Sequence, residues 1–358
     1  MKILVISLAG IGDTLLATPL LAELRVNFPT ATIDALALWA GSKDLLETNP
    51  HLNTVYQKNL IRSSKLEALR FLWSVRANQY DISINTHPQS RIHYRAISRL
   101  IGAPVRISHE YDCSGWLDRL LVNRTLPQDY TRHTVEHNLD VLPLIGATTK
   151  RTNHDMEVRL TAEDERWADD FLAGRGLKDT FCLGVHAGSG GTKNLALKRW
   201  PLANYIRLIQ KLNHDQPAVK VLLFGGGDEL REHQQIIAQT DSKLALSAET
   251  KNLRQAAALL KRCNAFLSVD TALMHLAAAM KTPNQIVIEA PTLNPTNLPH
   301  GNPFTVVRNL VSHGRQLEYY RYDGDGIHGT DEELIRCMNS VTVEAVWEAL
   351  KKTWGKAT

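Results

Sequence analysis

Residues 181–201 read FCLGVHAGSGGTKNLALKRWP, and the fold prediction starts from this stretch. Its apolar beginning is typical of a buried strand. The glycines that follow allow backbone N–H groups to approach a ligand closely. Pro201 after Trp200 is tolerated in the first turn of a helix. The cations between glycines and helix are Lys193, Lys198 and Arg199. Strand, glycine loop, cations and helix start predict a phosphate-type anion site. A basic surface loop is the alternative, because no intact GxxxxGK[ST] is present.

The rest of the chain alternates strands and helices in the same way, which predicts an α/β protein with parallel sheets. At 358 residues it is long for one domain, so we expect two. A polar stretch near residue 150 lacks apolar periodicity. We therefore predict one domain over residues 1–155, a second over 156–340, and a closing helix within 341–358. Ligands of such sheets bind at the carboxyl ends of the strands.

Charge is distributed unevenly along a chain of ordinary composition, with 44% hydrophobic and 22% charged residues. The net charge is +4, yet residues 58–106 hold nine Lys and Arg against two acidic residues. This basic stretch suits an acidic partner, either a phosphorylated substrate or an anionic membrane surface. We expect no nucleic-acid partner and a monomeric protein.

The cysteines and apolar runs favour a cytoplasmic location. The four cysteines are far apart and lack metal-ligand spacing, so a reducing compartment is the default. The apolar run after Met1 is too short for a signal peptide and is read as a strand. No uncharged apolar stretch reaches about 18 residues, the length that spans a bilayer.

Asp13 stands at the mouth of a helix directly after the first predicted strand. Such a carboxylate is either an N-terminal cap or a catalytic base. The preceding Gly10-x-Gly12 invites a dinucleotide interpretation, but Leu15 occupies the third glycine position of that fingerprint. Asp34, about 20 residues on, keeps a NAD-linked oxidoreductase open as an alternative.

Two helices of the basic stretch have periodic apolar or cationic faces. A helix from about residue 65 to 77 is predicted to turn four apolar side chains inward: Leu66, Leu69, Leu72 and Trp73. In the next helix Arg91, Arg95 and Arg99 recur on one face. That face is either solvated or a basic wall toward an acceptor.

Four segments resemble glycosyltransferase family 9, the ADP-heptose:lipopolysaccharide heptosyltransferases, in order and spacing. They are GIGDTLLATP at 10–19, KRWP at 198–201, GGGDE at 225–229 and VDTALMH at 269–275. APT at 290–292 and Cys337 before a closing helix are also similar to the family. The resemblance covers nearly the whole chain.

The resemblance implies a GT-B fold, with two doubly wound Rossmann-like domains facing across a cleft, and a terminal helix that packs back on the first domain. It also implies an inverting glycosyltransferase that takes a heptose from an ADP-sugar to a lipopolysaccharide core or related glycan. Such an enzyme would act at the cytoplasmic face of the inner membrane, without cofactor or metal. A non-catalytic nucleotide-sugar binding protein is a further alternative.

Carried onto matching positions, the resemblance identifies Asp13 as the base. Lys198 would contact the donor phosphates and Glu229 the ribose. The full donor set is Ser189, Gly190, Lys198, Glu229, Asp270, Thr271, Ala272 and His275, and the acceptor set is Gly12, Thr14, Arg62 and Arg91. Ala272 replaces a common glycine, and Glu289-Ala290 replaces a common Phe-Gly, which would bring a carboxylate into the donor region.

Overall fold

A computed structural model describes residues 1–241 and 244–354 of the chain. The chain divides into two compact units. The first comprises Met1–Arg159 with Tyr322–Gly324, and the second comprises Leu160–Arg321 with Asp325–Thr358. The predicted boundary after residue 155 lies close to the observed one. Each unit is an α/β layer structure, as predicted.

The first unit is built on a parallel sheet in the order β3-β2-β1-β4-β5-β6. The strands are β1 (Lys2–Ser7), β2 (Thr32–Ala37), β3 (Thr54–Gln57), β4 (Ile82–Asn85), β5 (Val105–Glu110) and β6 (Arg124–Pro127). The helices are α1 (Ile11–Leu16), α2 (Thr18–Asn27), α3 (Ala40–Leu46), α4 (Lys65–Arg76), α5 (Ile92–Ile101), α6 (Trp116–Leu121) and α7 (Thr134–Leu139).

The strand order determines which helices share a face of the first sheet. The chain moves in one direction along the sheet from β3 through β4 and β5 to β6. Because parallel crossovers are right-handed, the connecting helices α4, α5 and α6 lie on the same face. Helix α5 packs against both α4 and α6, so the three form a continuous layer.

The second unit repeats this plan with the sheet order β12-β11-β10-β7-β8-β9. Its strands are β7 (Cys182–His186), β8 (Lys220–Leu223), β9 (Ala245–Ser247), β10 (Ala265–Ser268), β11 (Gln285–Ile288) and β12 (Phe304–Val307). Its helices are α8 (Ala162–Gly174), α9 (Leu202–Asp215), α10 (Leu230–Gln239), α11 (Leu253–Leu260), α12 (Ala272–Ala279), α13 (Gln316–Tyr319), α14 (Asp331–Asn339) and α15 (Val343–Trp354).

The terminal helix α15 corrects the expectation that it packs on the first domain. Its apolar face, with Val346, Trp347 and Leu350, belongs to the hydrophobic core of the second unit. It packs on α9 and on strands β11 and β12. An amphipathic pattern specifies that a face is buried but not what covers it. Residues 355–358 of the predicted 341–358 segment lie outside the described residues.

Helix α4 also differs from its prediction. Ser64 caps it, with its side chain accepting the Glu67 N–H. Leu72 is buried as expected, but Leu66, Leu69 and Trp73 are exposed. Among the described residues, no helix combines the length and apolar character needed to cross a bilayer.

We expect Leu350→Ala to destabilise the second unit by about 2–5 kcal/mol, because it removes a fully buried side chain from that core. Hydrogen exchange, measured separately for each strand, should show that the backbone amides of β11 and β12 lose protection. Glu348→Ala, at an exposed position of the same helix, is the control and should change stability by less than about 0.5 kcal/mol. Loss of protection confined to the first unit would contradict this packing.

Candidate functional site

The second unit gathers its polar side chains where the strand order reverses. Strand β7 pairs with β8 on one side and β10 on the other, and the chain leaves it in opposite directions. Such a switch point opens a crevice at the carboxyl ends of the strands, where α/β proteins bind ligands. His186 ends β7 opposite Ser268 at the end of β10. The loops after β7, β8 and β10 carry the predicted donor residues.

Glu229 is a buried carboxylate with three partners in this group. One oxygen accepts the Gly226 N–H at 2.9 Å and lies 3.3 Å from Nε2 of His186. The other lies 3.7 Å from the Arg199 guanidinium. Burial by itself raises the pKa of Glu229, but the hydrogen bond and charge of His186, the Gly226 N–H and the charge of Arg199 lower it to about 2. Glu229 is therefore a fixed negative charge at neutral pH.

Two glycines make room for this carboxylate. A Cβ on Gly188 would stand 1.4 Å from Oε1 of Glu229, and one on Gly225 would stand 2.5 Å from Oε2. Neither distance is possible for a real side chain. Gly188 therefore leaves room for the Glu229 side chain between the loops after β7 and β8, and the ligand approach stays a prediction.

Lys198 and Asp270 form a buried ion pair beside this group, with 3.3 Å between Nζ and Oδ2. The same carboxylate oxygen accepts the Thr292 hydroxyl at 2.9 Å and the Asn297 amide at 3.1 Å. The other oxygen lies 4.0 Å from Nε2 of His275. The ammonium of Lys198 is thus positioned by a carboxylate that is itself held from two further sides.

The N-terminus of α12 completes the cluster. Thr271 caps this helix by accepting the Met274 N–H, and its hydroxyl lies 3.0 Å from Nδ1 of His186. Ala272 is the first helical residue. A helix N-terminus presents unpaired N–H groups and a positive dipole end, which suit a phosphate oxygen.

Arg199 braces the glycine loop. Its guanidinium donates to the hydroxyl of Ser189 at 3.1 Å and to the Ser189 carbonyl at 2.9 Å. The Ser189 hydroxyl in turn donates to the Leu195 carbonyl. Ser189 is buried and bonded within the protein, whereas Gly190 is exposed at the loop surface. Gly190 is the better placed of the two to approach a ligand.

The carboxylate of Glu289 is held by neighbouring residues. It accepts the Asn309 N–H at 2.8 Å, lies 2.8 Å from Nδ1 of His313, and accepts the Gln316 amide at 2.5 Å. The acidic side chain therefore anchors the segment after β12.

The structure adds residues that the sequence prediction missed. His186 bridges Glu229 and Thr271, while Thr292 and Asn297 hold Asp270. His186 directly follows the apolar residues of a predicted strand, which draws no attention to it. Its place at the carboxyl end of that strand, before the glycine loop, is the signal that could have identified it. Asn297 lies in a Pro/Asn-rich loop with no signal of its own.

In the first unit, Asp13 lies in the first turn of α1 at the end of β1. Its Oδ2 accepts the Gly10 N–H at 2.7 Å, which is the capping geometry. Asp13 is only half-buried. Burial raises the pKa of Tyr94, with Arg91 opposing and the negative charge of Asp13 adding to the rise. The cap is therefore present, and the role of Asp13 as a base stays a prediction.

The predicted acceptor residues occupy different environments. Gly12 is buried within α1, and the buried Thr14 hydroxyl lies 3.0 Å from that of Ser7 and 2.9 Å from that of Ser42. The Thr14 hydroxyl is therefore engaged within the protein, and its contact with an acceptor stays a prediction. Arg62 and Arg91 are exposed, and Arg91 donates to the Gly324 carbonyl.

The cationic face of α5, predicted to be either solvated or a basic wall toward an acceptor, is interrupted at its centre. Arg95 is buried, forms an ion pair with Asp118 at 2.9 Å and donates to the Ser90 carbonyl. Only Arg91 and Arg99 of the series are exposed. Arg95 thus ties α5 to α6 instead of facing a ligand.

A buried aromatic cluster, which the sequence prediction missed, lies where β4 ends. His87 stacks on His137 with ring centroids 4.7 Å apart and on Tyr111 at 5.5 Å. Burial and the neighbouring histidines hold the pKa of His87 well below its usual range, so the ring is neutral. Gln89 accepts the Leu8 N–H and links this loop to the end of β1. These loops flank the switch point between β1 and β4.

Asp34 does not fit the dinucleotide alternative. It lies in the middle of β2, is buried, and accepts the Tyr80 hydroxyl at 2.5 Å. The ribose-binding acid of a dinucleotide site must be available to its ligand near the strand end. An open cavity of about 540 Å³, lined by Trp73, Arg76 and Tyr80 among others, lies where β4 and β5 begin. It is therefore away from the strand ends that carry the polar clusters.

Comparison with known proteins gives a consistent result. The family model described as glycosyltransferase family 9 (heptosyltransferase) matches residues 68–318. Lipopolysaccharide heptosyltransferase 3 of Escherichia coli K12 is 28% identical over 76% of this chain and 78% of its own length. Lipopolysaccharide heptosyltransferase 2 of Salmonella typhimurium LT2 is 26% identical over 98% and 97%. The structure of the E. coli ADP-heptose lipopolysaccharide heptosyltransferase II superposes with a TM-score of 0.72 at 21% identity, covering 100% of this chain and 99% of that one.

We expect Gly188→Ala to displace the Glu229 carboxylate and to lower stability by more than about 1 kcal/mol, the scale of leaving a buried charged group without its partners. Thermal unfolding measures this. Gly191→Ala is the matched control, because a Cβ there meets nothing within 4 Å. Equal melting temperatures for the two variants would contradict the close approach.

Proposed function

Because the chain belongs to glycosyltransferase family 9 and has its GT-B fold, we propose that it transfers a heptose or related sugar from an ADP-sugar to a lipopolysaccharide core or related glycan. The relatives described above are named as heptosyltransferases. The similarity to this chain extends over most or all of their length. The observation that carries the proposal is the group of Lys198, Asp270 and Thr271 at the switch point of the second unit.

This group suits a leaving diphosphate. Negative charge grows on the departing diphosphate oxygen as the glycosidic bond to the anomeric carbon breaks. Lys198 and the N–H groups at the start of α12 would stabilise that charge without reorganising, since both are held in place before substrate binds. Glu229 would accept hydrogen bonds from the ribose hydroxyls. The chain would thus supply charge stabilisation through its own side chains, and independence of metals and cofactors stays a prediction.

The acceptor hydroxyl must lose its proton as its oxygen attacks the anomeric carbon. Asp13 would accept that proton, and attack opposite the leaving group would invert the configuration. The exposed Arg62 and Arg91 would attract an anionic acceptor. We propose further that the enzyme works as a monomer on the cytoplasmic side of the inner membrane, where an ADP-sugar and a lipid-linked acceptor meet.

We expect ADP to raise the melting temperature of the wild-type protein more than UDP or NAD does. Lys198→Ala should abolish most of that shift and slow sugar transfer at least ~100-fold, the scale for losing one charge-stabilising donor. Lys198→Ala with Asp270→Asn is the control, because it removes both buried charges and should recover stability but not ADP binding. A dominant shift with NAD would favour an oxidoreductase, and strong ADP binding without turnover would favour a binding protein.

Asp13→Asn separates the helix cap from the catalytic base. The amide oxygen that replaces the carboxylate can still accept the Gly10 N–H, so the melting temperature and ADP affinity should stay near wild type. Loss of the base should slow transfer by at least ~100-fold. Release of ADP in the presence of acceptor measures turnover. If the variant keeps more than about a third of wild-type turnover, Asp13 is only a cap.

A further inference from the structure

Helix α6 has its polar and apolar side chains on the opposite sides from those of an ordinary surface helix. Its buried side chain is Asp118, which pairs with the buried Arg95. Trp116 is 72% exposed and Leu120 63% exposed, and Leu117 is exposed beside them. A helix packed on a sheet normally buries its apolar side chains and exposes its polar ones. Here the polar group holds the helix in place, and the apolar side chains point to the surroundings.

The two neighbouring helices share this feature. On α4, Leu66, Leu69 and Trp73 are spaced so that they lie on one exposed face. On α5, Ile92 and Leu100 are exposed. Because α4, α5 and α6 form one continuous layer on the first sheet, these side chains belong to a single outer surface, which we call the α4–α6 face.

The charged side chains on the α4–α6 face are mostly cationic. Within these fully described helices, the exposed cations are Lys65, Arg70, Arg76, Arg99 and Arg119. The exposed acid is Glu67, whose carboxylate is engaged by the Ser64 N–H at the helix cap. Arg119 approaches Glu110 only at 3.8 Å, with a largely exposed side chain. The net charge of the face is therefore positive.

We propose that the α4–α6 face docks on an anionic lipid bilayer. Exposed tryptophans with neighbouring leucines are the side chains that settle at the boundary between headgroups and acyl chains. Cations near them are attracted by anionic headgroups, and a soluble protein seldom leaves a large apolar patch uncovered. The combination of apolar side chains with interspersed cations fits a lipid surface better than a second copy of this chain, since two such positive faces would repel each other.

Docking on this face adds a membrane partner to the proposed function. The docking proposal rests on that function only in the choice of a lipid partner. An acceptor anchored in a membrane remains in two dimensions, so an enzyme held on the same surface meets it at a higher effective concentration. Trp116 and Leu120 would enter the interface, while the Arg95–Asp118 pair keeps α6 fixed on the sheet.

The test is co-sedimentation of the full chain with vesicles of phosphatidylcholine alone and with vesicles enriched in phosphatidylglycerol. We expect at least ~tenfold stronger partitioning to the anionic vesicles, weakened by added salt. Trp116→Ser with Leu120→Ser should lower partitioning at least ~tenfold on both kinds of vesicle. The matched control is Leu310→Ser with Ile335→Ser, exposed apolar positions of the second unit, which should leave partitioning unchanged.

A charge variant tests the cations separately. Arg70→Gln, Arg99→Gln and Arg119→Gln together should remove the preference for anionic vesicles, whereas Arg166→Gln, Arg231→Gln and Arg336→Gln in the second unit should not. Each variant is used only if its melting curve matches that of the wild type.

Three results would overturn the proposal. They are wild-type protein that stays in the supernatant with both vesicles, equal losses in the face and control variants, and a wild-type dimer that Trp116→Ser with Leu120→Ser converts to monomer. Transfer to a water-soluble, deacylated acceptor separates the two proposals. If only the docking proposal is wrong, transfer to the deacylated acceptor still proceeds. If only the proposed function is wrong, the protein still binds vesicles but transfers no sugar.

Discussion

The site of the second unit depends on the buried negative charge of Glu229, whose carboxylate is held by the Gly226 N–H, by His186 and by the charge of Arg199. A buried charge without partners is costly, so the surrounding loops must bring donors to it. The Gly226 N–H comes from the loop after β8 and His186 from the end of β7, and His186 reaches on to Thr271 after β10. The Glu229 carboxylate thereby links the loop after β8 to the end of β7, and His186 extends this link to the cap of α12.

Asp270 shows the same principle applied to a cation. A lysine in a buried position loses hydration, and a carboxylate that holds it must in turn be satisfied. Thr292 and Asn297 supply those hydrogen bonds from a loop that follows β11. Asp270 is therefore fixed, and it holds the Lys198 ammonium in one position. This arrangement supplies a preorganised positive charge, which is the property that stabilisation of a leaving diphosphate requires.

The helix layer of the first unit illustrates the reverse distribution of polarity. Arg95 and Asp118 occupy the interior between α5 and α6, while Trp116 and Leu120 remain outside. The Arg95 guanidinium also donates to the Ser90 and His109 carbonyl groups, and the Asp118 carboxylate accepts the Gly115 N–H, so both buried charges have further partners. The apolar side chains of α6 are thereby left on the outer surface, and a contiguous exposed apolar patch is typical of an interaction site.

The sequence by itself determined the parallel α/β class, the two units, and the strand-end loops that hold Asp13, Lys198, Glu229 and Asp270. These features follow from local patterns: apolar runs of strand length, glycines after them, and helix caps. The tertiary structure alone decided what each apolar or charged face meets. Periodicity places side chains on one side of a helix but does not state which side is covered. The apolar face of α4 is therefore predicted inward-facing, α15 is assigned to the wrong unit, and Arg95 is placed on a face that is either solvated or a basic wall, although it is buried. His186, Thr292 and Asn297 became site residues only because the order β11-β10-β7-β8 brings loops that are distant in sequence to one edge of a sheet.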